Sequence, residues 1–130
     1  MSNEIVNITS SVNGTRKFSN TGATAYSCTK AAQIAMMKML ALELADDRIR
    51  VNAICPGAIE TQIGEHTEKR DLEQVREPIR YPEGKIPLTD GKPGTPEQVA
   101  KLVSFLAGDE SNHITGTEIY IDGAQSLLEG

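Results

Sequence analysis

The sequence is poor in cysteine, in aromatic residues and in long apolar runs. Of its 130 residues two are Cys, none is Trp and 4% are aromatic. Two cysteines are too few for a disulfide framework, so we expect a reducing, cytoplasmic setting. No apolar run reaches roughly 18 residues and no basic flank follows Met1, so we expect neither a membrane span nor a secretory signal.

Positive charge is also in short supply. The chain has 13 Lys and Arg against 18 Asp and Glu, which gives a formal charge of −5 and argues against a nucleic-acid partner. The residues that bind zinc most often, here Cys28, Cys55, His66 and His113, do not have zinc-site spacing, so we expect no metal. The 38% hydrophobic and 24% charged composition is that of an ordinary globular domain.

Apolar patterns predict three strands and two helices. Strands are predicted at 5–8, 49–55 and 117–123, where β-branched residues cluster or alternate. Residues 24–45 have helical composition without Gly or Pro, and a second helix begins with a capping box at Thr95–Gln98. A strand, a long helix and another strand form a βαβ crossover, so we predict an α/β fold with a parallel sheet.

The helix predicted at 24–45 is apolar nearly all the way round. Such a helix is normally buried on two sides. One side can pack on the sheet, and we expect a partner subunit to cover the other. The charged segment between Glu65 and Lys85 has two compatible interpretations, a solvated helix and loop or a flap over a site.

The local chemistry centres on Tyr26 and Lys30. Residues four apart on a helix share one face, so the two side chains are predicted to be neighbours. An ammonium beside a phenol favours the phenolate, and this effect lowers the pKa of the Tyr toward the range useful in acid–base catalysis. Most Tyr–Lys pairs at this spacing are plain surface neighbours. The segments Ser10–Ser11 and Pro56–Thr61 follow the first two strands, where open α/β sheets bind ligands, although each can also be a simple turn.

Together these blocks resemble the C-terminal half of the short-chain dehydrogenase/reductase family. The strand and serine turn at 5–14, the YxxxK block at 26–30 and the RVNxxxPGxxxT block at 50–61 occur in the family's order. Residues 96–100 and 115–123 are similar to its closing helix and strand. The resemblance implies the C-terminal portion of a Rossmann-like, doubly wound parallel sheet, with about three parallel strands and covering helices.

The resemblance also implies roles for individual residues. Tyr26 would exchange a proton with the substrate oxygen, and Lys30 would assist it and hold the nicotinamide ribose. The catalytic serine would be Ser11, three residues before Gly14, whereas a count from the start of the strand selects Ser10.

A nicotinamide cofactor, NAD or NADP, would lie against the loop after the second strand. Residues 62–92 would form a substrate lid, and the protein would act on a small-molecule carbonyl or alcohol as a homo-oligomer, a dimer or a tetramer. The residues implied in cofactor binding are Tyr26, Lys30, Pro56, Gly57, Ile59 and Thr61.

The family's Gly-rich phosphate loop has no counterpart in these residues. We therefore expect 1–130 to be a single partial domain, the catalytic half of an NAD(P)-dependent carbonyl reductase or alcohol dehydrogenase that is inactive when isolated. The alternative is a non-catalytic fragment or assembly module that oligomerises through the helix at 24–45. The substrate itself is not indicated by the sequence.

Overall fold

A computed structural model describes residues 4–60 and 85–129. Within them lie three strands, β1 (Ile5–Thr9), β2 (Arg50–Pro56) and β3 (Glu118–Ile121). The helices are α1 (Thr24–Glu43), α2 (Pro96–Ala107) and the short α3 (Gln125–Glu129), with 3₁₀ turns at Pro87–Thr89 and Asp109–Ser111. The part of the lid segment predicted at 62–92 that precedes residue 85 lies outside the described residues.

The three strands form one parallel sheet in the order β1–β2–β3. Ile5 pairs with Arg50 and Thr9 with Ile54, while Ala53 pairs with Glu118 on the other side of β2. All residues of β2 from Val51 to Cys55 are buried, as expected for a central strand covered on both faces. The predicted α/β fold with about three parallel strands is confirmed.

Helix α1 covers one face of this sheet. Met37 and Ala41 pack on Val51 and Ala53 to form a small core, and Asn52 and Ile54 point to the opposite face because strand side chains alternate. The outer side of α1 exposes Met36, Met39 and Leu42 in the single chain. Of the two buried sides that the sequence predicts for this helix, the single chain therefore buries only the one that faces the sheet.

The predicted element ends are close to the observed ones. Helix α1 begins at Thr24 as predicted but stops two residues early, because Leu44 takes the C-cap position and Arg48 turns the chain with φ 59°. Helix α2 begins with the predicted capping box between Thr95 and Gln98. Gly108 caps its end.

Polar side chains of β2 tie down the chain between α2 and β3. The Arg50 guanidinium donates to the carbonyl oxygens of Leu106 (2.8 Å), Gly108 (3.1 Å) and Ile114 (3.2 Å). Asn52 donates to the Ile114 carbonyl and accepts from the Thr117 amide. The bonds to Leu106 and Gly108 satisfy carbonyls at the end of α2 that have no partner inside the helix. None of the helices in residues 4–60 and 85–129 combines the length and the apolar character that a membrane span requires.

Candidate active site

The parallel ladder continues beyond the end of β1 and brings two loops side by side. The Ser10 amide donates to the Ile54 carbonyl at 2.7 Å, and the Val12 amide donates to the Pro56 carbonyl at 3.1 Å. The serine turn after β1 (residues 10–14) and the Pro–Gly loop after β2 (residues 56–59) therefore leave the sheet together. They do so at the carboxyl ends of the strands, where α/β sheets bind ligands.

The two serines of this turn make different hydrogen bonds. The Ser10 hydroxyl donates to the Lys30 carbonyl at 2.8 Å, so its proton already has an acceptor on α1. The Ser11 hydroxyl oxygen accepts from the Asn13 amide at 3.1 Å. A hydroxyl that accepts in this way still carries a proton that it can donate.

Gly14 sets how close the serine turn lies to α1. It has φ 78°, and a Cβ built on it would collide with the Ser27 carbonyl oxygen. Only glycine allows this combination of left-handed backbone and backbone-to-backbone contact. The contact fixes the separation between Ser11 and the first turn of α1, which carries Tyr26.

Tyr26 and Lys30 lie one turn apart on α1. The Lys30 ammonium is 5.2 Å from the centre of the Tyr26 ring and donates to the Thr9 carbonyl at 3.4 Å. Tyr26 is the third residue of the helix, where the positive end of the helix dipole favours negative charge nearby. Its side chain is 48% exposed, so the phenol is accessible from solvent.

Hydrogen bonds on two sides hold the loop after β2. The Gly57 amide donates to the Ile121 carbonyl at 3.1 Å, and the Ala58 amide donates to Gln125 Oε1 at 3.0 Å. On the other side, the Gly94 amide donates to the Ala58 carbonyl at 2.9 Å, and the Glu60 amide donates to the Gly94 carbonyl at 2.7 Å.

A cleft of about 580 Å³ joins the serine turn, α1 and the Pro–Gly loop. It contains every predicted site residue except Thr61, which lies outside the described residues. Thr9, Pro96 and Val99 also line it. They were not predicted, because the sequence places Thr9 at a strand end and Pro96 and Val99 in a helix without indicating that their side chains meet at the cleft. The lining residues are Thr9, Ser10, Ser11, Tyr26, Lys30, Pro56, Gly57, Ile59, Pro96 and Val99.

None of the described residues that line the cleft is a His, Cys, Asp or Glu. In the described part of the chain, no group of three or more His, Cys, Asp and Glu side chains is arranged to hold a metal.

A partly buried polar cluster contacts the serine turn on the side of β2 and β3. Burial, reinforced by the Glu118 carboxylate, raises the pKa of the Cys55 thiol from 9.0 to about 11, although the Ser11 amide donates to it. Burial also raises the pKa of Tyr120, whose ring lies 3.5 Å from the Arg16 guanidinium. The Thr15 hydroxyl donates to the Ser11 carbonyl at 2.6 Å. The turn is thus anchored to β2 and β3 as well as to α1.

Cys55 should make the protein less stable at alkaline pH. Below pH 9 the thiol is protonated in both the folded and the unfolded chain. Between pH 9 and about 11 only the unfolded chain loses the proton, so the free energy of unfolding falls as pH rises, by on the order of 2 kcal/mol. Urea titrations from pH 8 to 11 should show a smaller fall in Cys55→Ala than in wild type; parallel curves would contradict this.

Gly14→Ala should disturb the serine turn. The added methyl group meets the Ser27 carbonyl in a left-handed backbone conformation, so we expect a loss of about 2 kcal/mol or more in the free energy of unfolding. Gly108→Ala is the matched control, because a Cβ there has its nearest neighbours at 3.5 Å and the backbone is not left-handed. Equal urea midpoints for the two variants would refute the role given to Gly14.

Comparisons with known proteins agree with this geometry. A family model described as enoyl-(acyl carrier protein) reductase matches residues 2–124. The chain is 46% identical to the 3-oxoacyl-[acyl-carrier-protein] reductase FabG of Thermotoga maritima over 92% of this chain and 44% of that protein. It is 41% identical to the oxidoreductase UcpA of Escherichia coli strain K12, over 83% of this chain and 41% of that protein.

A solved structure is similar over the same region. The 3-ketoacyl-ACP reductase from Sinorhizobium meliloti 1021 superimposes with a TM-score of 0.83 and 49% identity, covering 95% of this chain and 49% of that one. The chain therefore spans less than half the length of these relatives. A family match over nearly the whole chain, the matching fold and the shared motifs lead to one conclusion: the chain belongs to the short-chain dehydrogenase/reductase family.

Proposed function

We propose that the chain is the catalytic half of an NAD(P)-dependent oxidoreductase that interconverts a carbonyl and an alcohol. The observation that carries this proposal is the cleft in which Ser11, Tyr26 and Lys30 meet beside the Pro–Gly loop. The similarity to oxidoreductases such as FabG and UcpA supports the same class of reaction. The reaction needs a group that orients the carbonyl, a proton donor and a charge that stabilises the donor's conjugate base.

Ser11 serves as the orienting group. Its oxygen accepts from the Asn13 amide, so its proton can point into the cleft and bind the substrate oxygen. Ser10 is less suited to this role because its hydroxyl donates to the Lys30 carbonyl. Ser10 instead holds the serine turn on α1, which keeps Ser11 near Tyr26.

Tyr26 serves as the proton donor during reduction and as the acceptor during oxidation. The Lys30 ammonium, 5.2 Å from the ring centre, stabilises the phenolate that remains after the proton is transferred. The N-terminal end of α1 acts in the same direction. The Thr9 carbonyl accepts a hydrogen bond from Lys30 Nζ and so directs the ammonium toward the cleft.

The residues of the cleft fit one end of a nicotinamide cofactor, which would supply or accept the hydride when bound. Lys30 Nζ is placed to reach the ribose, and the stretch from Pro56 through Gly57 to Ile59 would lie against the nicotinamide ring. Thr61 continues this stretch in the sequence. A Gly-rich loop for the phosphates is not part of these 130 residues, so we expect tight NAD or NADP binding to need further chain.

We assign this activity to the cytoplasm. Both cysteines are free, and Cys28 is exposed on α1, an arrangement that a reducing compartment preserves.

Replacement of Tyr26 by Phe tests the proton donor. In the full-length enzyme, Tyr26→Phe should lower kcat by roughly 10²–10⁴-fold, the usual contribution of a general acid, and leave the affinity for the cofactor almost unchanged. The measurements are carbonyl-dependent oxidation of NADH and NADPH and a separate cofactor titration. Cys28→Ser, on the same helix but outside the cleft, is the control. Substantial activity in Tyr26→Phe would overturn the assignment.

A second candidate function is a non-catalytic assembly module. It is favoured by the exposed row of Met36, Met39 and Leu42 on α1, since residues three apart are neighbours on a helix surface. An apolar row of this kind on a soluble chain is typically covered by a partner. A second copy of the chain, joined through α1, would supply the cover.

A charge placed in this row tests the assembly function. We expect the 130-residue chain to form oligomers that Leu42→Glu disrupts, as measured by size-exclusion chromatography with light scattering. Leu88→Glu is the matched control, because both leucines are 81% exposed and Leu88 is not on α1. A monomeric wild type would rule out assembly through α1. Micromolar binding of NADH or NADPH by the isolated chain would contradict the non-catalytic module.

A further inference from the structure

The C-terminal turn after β3 contacts the Pro–Gly loop through one side chain. Gln125 is only 8% exposed, and its Oε1 accepts the Ala58 amide at 3.0 Å across 67 residues of sequence. An amide of an irregular loop has no strand or helix partner, so a side-chain acceptor is what satisfies it.

The turn that carries Gln125 is itself fixed. The Asp122 carboxylate accepts from the Ala124 amide at 3.1 Å and from the Ser126 amide at 2.9 Å, and the Gln125 amide donates to the Asp122 carbonyl. Gln125 is therefore the first residue of a short helix that its own turn caps. Three hydrogen bonds to Asp122 thus hold the backbone from which the Gln125 side chain extends.

Gly57 and Gln125 fit closely together. A Cβ at position 57 would lie 2.6 Å from Asp122 Cβ and 2.9 Å from Gln125 Oε1. The absence of a side chain at Gly57 thus lets the C-terminal turn approach the loop closely enough for the hydrogen bond to Ala58.

We propose that Gln125 is a positioning residue for the loop Pro56–Ile59. By holding the Ala58 amide, it fixes where Ile59 enters the cleft, because Ala58 and Glu60 are held on the other side by Gly94. The assignment rests on the proposed function, in which this loop lies against the nicotinamide ring. It makes the C-terminal turn part of the apparatus that shapes the cofactor end of the cleft.

Amide hydrogen exchange tests this role directly in the 130-residue chain. Gln125→Met removes the acceptor and keeps the size, so exchange of the Ala58 amide should become roughly tenfold faster and the Ile59 methyl resonances should shift. Gln125→Glu keeps an acceptor oxygen and should restore slow exchange. Gln33→Met is the matched control, because Gln33 Oε1 has no hydrogen-bond partner among the described residues.

Three results would overturn the proposal. The first is unchanged Ala58 exchange in Gln125→Met, and the second is fast exchange in Gln125→Glu. The third is an equal acceleration at Ala53 in β2, which would mean general destabilisation. Because exchange is measured without cofactor or substrate, an inactive enzyme would speak against the proposed function and not against this hydrogen bond.

Discussion

The pairing of β2 with a strand on each side is the constraint on which the site depends. Parallel pairing with β1 brings the serine turn beside the Pro–Gly loop, and parallel pairing with β3 brings the C-terminal turn to the same end. A shift of one residue in either register would turn every side chain of the displaced strand to the opposite face. Because Val51–Cys55 are buried on both faces, such a shift would cost much of the core.

The elements of the fold were predictable because their signals are local. The β-branched run at 5–8, the apolar helix from Thr24 and the capping box at Thr95 each indicate one element without reference to the rest. The ends were less predictable. Helix α1 stops at Glu43, two residues before the end that its apolar pattern predicts, and α3 is a single turn at whose start backbone amides donate to the Asp122 carboxylate, in a segment that resembles a plain strand end.

The residues of the site were predictable only where they belong to a sequence motif. Tyr26, Lys30 and the serine turn stand out by spacing, and the structure brings them into one cleft. The contacts that position these groups are not local. Gln125 reaches Ala58, and Arg16 stacks on Tyr120, across most of the chain. Nothing in the sequence around Gln125 indicates a distant amide as its partner, so only the folded arrangement identifies it.

Gly94 closes the stretch of chain that follows the Pro–Gly loop, because its carbonyl accepts from the Glu60 amide and its amide donates to the Ala58 carbonyl. Near the Gly94 end of this stretch, Ile86 is buried against Gly123, and the Leu88 amide donates to the Gly123 carbonyl at 3.2 Å. The stretch before Gly94 is thus joined to the C-terminal turn that also holds the Pro–Gly loop through Gln125, so a substitution at Ile86 would act on the cleft through this turn.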